Sequence, residues 1–416
     1  MKTKRIRLAV VGLILVCAIA VNLTGCATNI QAKSLMNNIT PNSIAVLEDL
    51  SPYNASVTDF AVRLFQASEE SGQNTLVSPL SVLCALAMTA NGAEGKTLEQ
   101  MESVLGLTVD ELNRYLYSYQ KTLPQGEAYQ LHLANSVWFT DSERFTANAD
   151  FLQTNADYYG ADIYQAPFGE QTCQDINNWV KQKTNDMIPE IIDQIPSRAI
   201  MYLVNALAFE AEWLETYEKK QVRTGDFTTE DGTKQTVELM YGGEDVYLED
   251  ELATGFMKFY KSGYAFVAIL PNDGVSVSEY VASLDGKCLN TLLKNPQYAS
   301  VETCIPKFEA SYNSEMSNTL KAMGMSNAFD INDAELQGIG SSDAGNIYIG
   351  RVLHKTHISV AEKGTKAGAA TVVEMLDKGD GPSETKTVYL NKPFVYMLID
   401  CENQLPFFIG TMMSVE

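Results

Sequence analysis

The stretch Glu362-Lys363-Gly364-Thr365-Lys366-Ala367-Gly368-Ala369-Ala370-Thr371-Val372-Val373-Glu374-Met375-Leu376 decides how the rest of this chain is read. Side chains this small bury little apolar area and add little to a core. They also obstruct nothing when a backbone slides between two others. At the two-residue period of a strand, Thr365, Ala367, Ala369, Thr371, Val373 and Met375 share one face, and Gly364, Lys366, Gly368, Ala370, Val372 and Glu374 share the other. The first face suits burial and the second suits water. The next residues, Asp377-Lys378-Gly379-Asp380-Gly381-Pro382-Ser383-Glu384, have turn and linker chemistry. A segment that reads both as loop and as potential core strand is a candidate switch.

The surrounding chain has the length and composition of one large domain. It holds 416 residues, 45% hydrophobic and 20% charged, enough to bury a sizeable core. Its net charge is −22, and removing the first 25 residues, with four basic groups and no acids, leaves −26. Such a surface repels phosphate backbones and anionic membranes, which disfavours nucleic-acid binding.

The N-terminus reads as a targeting segment. Lys2, Lys4, Arg5 and Arg7 precede a 14-residue apolar run, Leu8 to Val21, too short for an ordinary spanning helix. Leu23-Thr24-Gly25-Cys26 comes next and resembles the bacterial lipoprotein box, in which the Cys is diacylated and becomes the new N-terminus. We therefore expect a signal peptide over 1–25, a flexible polar tether over 26–52 and one domain over 53–416. The lipid would place the protein on the extracellular face of the cell membrane. Five further cysteines (Cys84, Cys173, Cys288, Cys304 and Cys401) are an odd number without Cys-x-x-Cys spacing, so no disulfide framework is expected. No metal site and no cofactor are expected either.

Apolar runs bounded by turns alternate with helical patterns, as in an α+β fold with a large sheet. The run Thr75 to Leu83 leads into a buried helix, Cys84 to Met88, that ends near Asn91-Gly92-Ala93, and Asp175 begins another helix. Met201–Phe209, Phe266–Leu270, Phe394–Ile399 and Pro406–Gly410 read as strands. Ser78, Ser81, Asn205 and His354 are polar residues inside such runs, where a group left unpaired costs roughly 1–3 kcal/mol. Helix capping is an alternative role for the two serines.

Catalytic readings fare poorly. Beyond the signal there are three histidines (His132, His354, His357), none near a Gly-x-Ser-x-Gly elbow. Ser383-Glu384-Thr385-Lys386 matches Ser-x-x-Lys, but it sits in a Gly/Pro-bearing loop where that motif needs a rigid helix start. No enzyme is expected. A substrate-binding lipoprotein would leave the small-residue run unexplained.

The run Glu-Lys-Gly-Thr-x-Ala-x-Ala-Ala-Thr resembles the reactive-loop hinge of the serpins, with Lys366 standing where that family usually has an acid. Other serpin-like segments occur in the family's order: Ser78-Pro79-Leu80-Ser81; Asn177-Asn178-Trp179-Val180 with Lys183-Thr184; Val204-Asn205-Ala206 with Trp213; Ile305-Pro306-Lys307-Phe308; Leu320 to Phe329; His354-Lys355; and Asn391-Lys392-Pro393-Phe394. The resemblance covers roughly residues 53–416.

It implies a serpin fold: a large mixed central sheet, further sheets, about eight or nine helices, and an exposed reactive-centre loop over about 362–390. It also implies a hinge formed by Glu362, Gly364, Thr365, Ala367, Gly368, Ala369, Ala370 and Thr371. A cluster where the main sheet opens would contain Ser78, Ser81, Asn205, His354 and Trp213. In inhibitory serpins the residue before the cut generally lies sixteen positions after the hinge Glu, which selects Lys378–Gly379, with Leu376 and Lys386 as the other candidates. The implied activity is suicide inhibition of a serine protease by a monomer. A Lys before the cut points to a trypsin-like partner, and Met375 or Leu376 to chymotrypsin-like, elastase-like or cysteine proteases. The alternative role is a non-inhibitory binding or scaffold module.

Overall fold

Two sheets hold most of the chain's apolar residues between and around them. The computed structural model describes residues 30–124, 126, 129–141, 145–195, 200–261, 263–343, 345–365 and 385–415. The main sheet contains, in spatial order, β1 (Lys33–Ser34), β5 (Asp162–Ala166), β3 (Tyr129–Thr140), β6 (Met201–Glu212), β15 (Gly364–Thr365), β14 (Arg351–Ala361) and β12 (Phe308–Glu315). A second sheet runs β16 (Lys386–Tyr389), β11 (Gln297–Pro306), β8 (Lys234–Glu249), β9 (Ala253–Phe259), β10 (Tyr264–Pro271), β17 (Phe394–Asp400), β18 (Leu405–Met412) and β2 (Thr75–Val77), with β7 (Val222–Thr228) beside β8. A small third sheet pairs β13 (Gly340–Ser342) with β4 (Phe145–Ala147).

Nine α-helices are present among the described residues: α1 (Ser51–Ser68), α2 (Pro79–Ala90), α3 (Gly95–Leu105), α4 (Val109–Thr122), α5 (Ala149–Tyr159), α6 (Glu170–Lys183), α7 (Val277–Ser283), α8 (Gly286–Lys294) and α9 (Ser317–Met323). All twelve residues of α2 are buried, in keeping with a sequence apolar except for Ser81 and Thr89, so this helix sits inside the molecule. Ser78 caps it, with Pro79 in the first turn, where a missing N–H costs nothing. The opposite face of the main sheet is covered by α6. Ile176, Trp179 and Val180 pack there on Trp138, Tyr202, Val204, Ala206 and Leu353, forming a second and smaller core. That helix begins at Glu170, five residues before the sequence expectation of Asp175. Its first turn, Glu170-Gln171-Thr172, is polar and hides the apolar period.

Two sequence expectations need correction. The tether over 26–52 is not free from residue 30 onward. The Asp175 carboxylate accepts from the backbone N–H groups of Gln31 and Ala32, and β1 pairs with β5. Asn42 is held by Asp157 and the Leu47 N–H by Ser118. Polar composition suggested a linker, yet these polar residues are bonded to the body and Leu35, Met36 and Leu47 pack on the core. The reactive loop is likewise shorter than 362–390, because Gly364–Thr365 and Lys386–Tyr389 are strands.

Candidate functional site

The seam between β6 and β14 organises the site. Over Arg351–His357 these strands pair directly and in parallel, His354 opposite Asn205. Above that ladder they part and admit β15, which is antiparallel to both: Gly364 lies opposite Glu212 and Ala361, Thr365 opposite Ala211 and Val360. Parallel pairing is slightly less stable per residue than antiparallel pairing. A strand extended from β15 therefore replaces one parallel seam by two antiparallel ones. Gly364 has φ +149°, and a Cβ there would lie 2.0 Å from the Ala211 carbonyl oxygen, so only glycine fits this entry point.

Successive carbonyls hold the turn leading into β15. The Trp213 indole Nε1–H donates to Ala361 at 2.8 Å, the Tyr217 N–H to Glu362 at 2.9 Å, and the Trp213 N–H to Lys363 at 2.9 Å. Thr365 is fully buried, its hydroxyl 2.7 Å from that of Tyr260, whose ring stacks on Trp213. Lys307 Nζ lies 3.0 Å from Glu362 Oε1 and 2.8 Å from Glu238 Oε2. Burial alone would raise the Glu362 carboxyl, but a backbone hydrogen bond and Lys307 more than offset it, leaving the group below its ordinary value.

Lower in the seam, the Ser78 N–H donates to His354 Nε2 at 3.1 Å, and His354 Nδ1 meets Asn205 Oδ1. With Nε2 accepting, the ring proton sits on Nδ1, and only a neutral imidazole satisfies both contacts. Burial pulls the His354 pKa down from 6.5 to about 3, which agrees. The His354–Asn205 contact bridges β14 and β6 and must break if a strand passes between them.

The five residues read as one cluster thus divide into two groups. Ser78, Asn205 and His354 meet under the seam, and Ser81 joins them through its N–H to Ser78 Oγ. Both readings of Ser78 hold, since it caps α2 and touches His354. Trp213 stands eight residues past Asn205, just beyond the end of β6 and roughly 26 Å away at about 3.3 Å per residue, and belongs to the hinge. Of the hinge residues, Glu362, Gly364 and Thr365 hold the positions given above. Ala367, Gly368, Ala369, Ala370 and Thr371 lie outside the described residues, as do Leu376, Lys378, Gly379 and Cys26. Lys386 is paired with Val301 in β16, which argues against it as a cut site.

Tyr260, Tyr217, Lys258 and Glu244 are site residues that sequence reading passed over. A lone cation inside the apolar run Gly255-Phe256-Met257-Lys258-Phe259-Tyr260 was the available signal.

Comparison with known proteins agrees with this geometry. The family described as serpin (serine protease inhibitor) matches residues 55–415. The thermophilic serpin tengpin in its native state superposes with a TM-score of 0.89 at 46% identity, covering 93% of this chain and all of that one. Its latent state, at the same identity, scores 0.79 over 91% of this chain. The present conformation is thus the native-like one. An uncharacterized serpin-like protein of Thermococcus kodakarensis is 29% identical over 87% of this chain and 86% of its own. The leukocyte elastase inhibitor of Equus caballus is 28% identical over 88% of this chain and all of its own. The chain belongs to the serpins. That family is described as one of serine protease inhibitors, not of catalysts.

Proposed function

We propose that this serpin inhibits a trypsin-like serine protease by loop cleavage, acyl-enzyme trapping and insertion of the cut loop between β6 and β14. The observation that carries this reading is β15 itself, two hinge residues already paired antiparallel to both seam strands. Continued from Thr365 to Asp377, the strand is 13 residues long, roughly 43 Å at about 3.3 Å per residue. A protease held at the cut end as an acyl-enzyme is carried that distance. About a dozen hydrogen bonds at roughly 0.5–1.5 kcal/mol each supply on the order of 10 kcal/mol to distort it and stall hydrolysis.

Lys378–Gly379 is the proposed cut. A long cation before the scissile bond suits a pocket with a carboxylate, as in trypsin-like enzymes. We further propose a monomer anchored through diacylated Cys26 on the extracellular face of the membrane, since two acyl chains meet the requirement for stable anchoring.

A protease panel tests the inhibitory reading. Denaturing gels read covalent complexes, and mass spectrometry reads the released C-terminal peptide. A complex with a trypsin-like protease and a peptide starting at Gly379 support it. A peptide starting at Asp377 moves the target class, and cleavage without any complex leaves a non-inhibitory binding module. For the anchor, Cys26→Ala releases the protein from the membrane fraction or leaves it unprocessed; unchanged fractionation contradicts it.

A further inference from the structure

Directly behind the hinge turn is a buried charge with no part in the insertion scheme. Lys258 lies in β9, its side chain 4% exposed, with Nζ 2.8 Å from Glu244 Oε1 on β8. The same ammonium stands 4.5 Å from the centroid of Tyr217 and 5.4 Å from that of Trp213. One cation is therefore enclosed by two rings and one carboxylate. Burial pushes the Glu244 carboxyl up and Lys258 pulls it part of the way back.

Stability is a weak reason for such an arrangement, since apolar residues often replace a buried ion pair at no cost. The neighbours of Lys258 supply a better one. Trp213 and Tyr217 are the two residues whose N–H groups bind the carbonyls of Ala361, Glu362 and Lys363. The indole bond depends on ring orientation. One ring contact is the stack with Tyr260, which binds Thr365, and another is the Lys258 ammonium. Cation–π attraction is directional and strengthens where water is excluded.

We propose that Lys258 is a positioning residue for loop insertion. Its buried ammonium, backed by Glu244, holds Trp213 and Tyr217 in the arrangement that keeps Gly364 and Thr365 in the sheet. It thereby sets how often a captured protease is trapped rather than released. The second effect rests on the inhibitory reading; the first does not.

The double variant Lys258→Met with Glu244→Leu separates positioning from stability, because it removes the cation without leaving a buried carboxylate unpaired. Its melting temperature should stay near the wild type's. Hydrogen exchange of the peptide spanning 361–365, measured without protease, should become fast. The stoichiometry of inhibition should rise by up to about thirtyfold, the scale of one desolvated cation–π contact. Lys258→Arg, which keeps the cation, should retain slow exchange. Wild-type exchange in the double variant overturns the proposal. If the double variant does not fold, Lys258→Gln with Glu244→Gln is read in the same two assays, with the same outcomes for and against. If the wild type traps no protease, the inhibitory reading fails while the exchange result still decides the role of Lys258.

Discussion

The hydroxyls of Tyr260 and Thr365 lie 2.7 Å apart, both buried, and tie the second inserted residue of the hinge to the end of β9. Thr365→Val keeps the volume but strands the Tyr260 hydroxyl, at a cost of about 1–3 kcal/mol. Thr365→Arg is harsher, since it forces an ionised group under the sheet. Gels should show Thr365→Val forming less complex than wild type and Thr365→Arg running almost wholly as cleaved substrate. Undiminished complex formation by Thr365→Arg contradicts a role for Thr365 in insertion.

The next position bears on Lys366. Extending the register of Gly364 opposite Glu212 and Thr365 opposite Ala211 brings residue 366 opposite Glu210 once insertion proceeds. A directly opposed pair of unlike charges contributes roughly 0.2–1 kcal/mol. Lys366→Glu and Glu210→Lys should each raise the stoichiometry of inhibition by up to about fivefold on that scale, and the swapped double variant should recover most of the loss. Additive losses in the double variant contradict the pairing.

The fold was legible because its motifs lie where backbone geometry leaves few choices. The entry glycine Gly364, the cap Ser78 and the buried polar pair Asn205 and His354 each stand out against their surroundings in the sequence. The hinge platform was not legible. Tyr217, Lys258 and Tyr260 come from separate elements, and only tertiary packing brings them onto Trp213. The same limit hid the docking of residues 30–50, whose partners Asp157 and Asp175 look like ordinary surface acids.

His354 makes stability depend on pH in a stated direction. The folded ring stays neutral down to about 3, while the unfolded chain takes up a proton near 6.5. Its contribution is therefore complete above pH 6.5 and is lost as the pH falls from 6.5 toward 3, by up to about 1.4 kcal/mol per unit. Replacing His354 by Asn should flatten melting temperature against pH over that window. Equal slopes in the two proteins contradict the assignment.

Removing residues 30–49 should destabilise the body, because it uncovers the β5 edge and takes from Asp157 and Asp175 the bonds they accept from Asn42, Gln31 and Ala32. We expect a melting temperature lower by about 2 °C or more, read by a heating scan of the folded protein. No change contradicts the docking of this segment.

The central claim is that the loop enters the main sheet, and heating intact and loop-cleaved protein side by side tests it most directly. Insertion worth on the order of 10 kcal/mol should raise the melting temperature of the cleaved form by about 10 °C or more in a domain of this size. Cleaved and intact protein melting at the same temperature would contradict insertion, and with it the inhibitory mechanism.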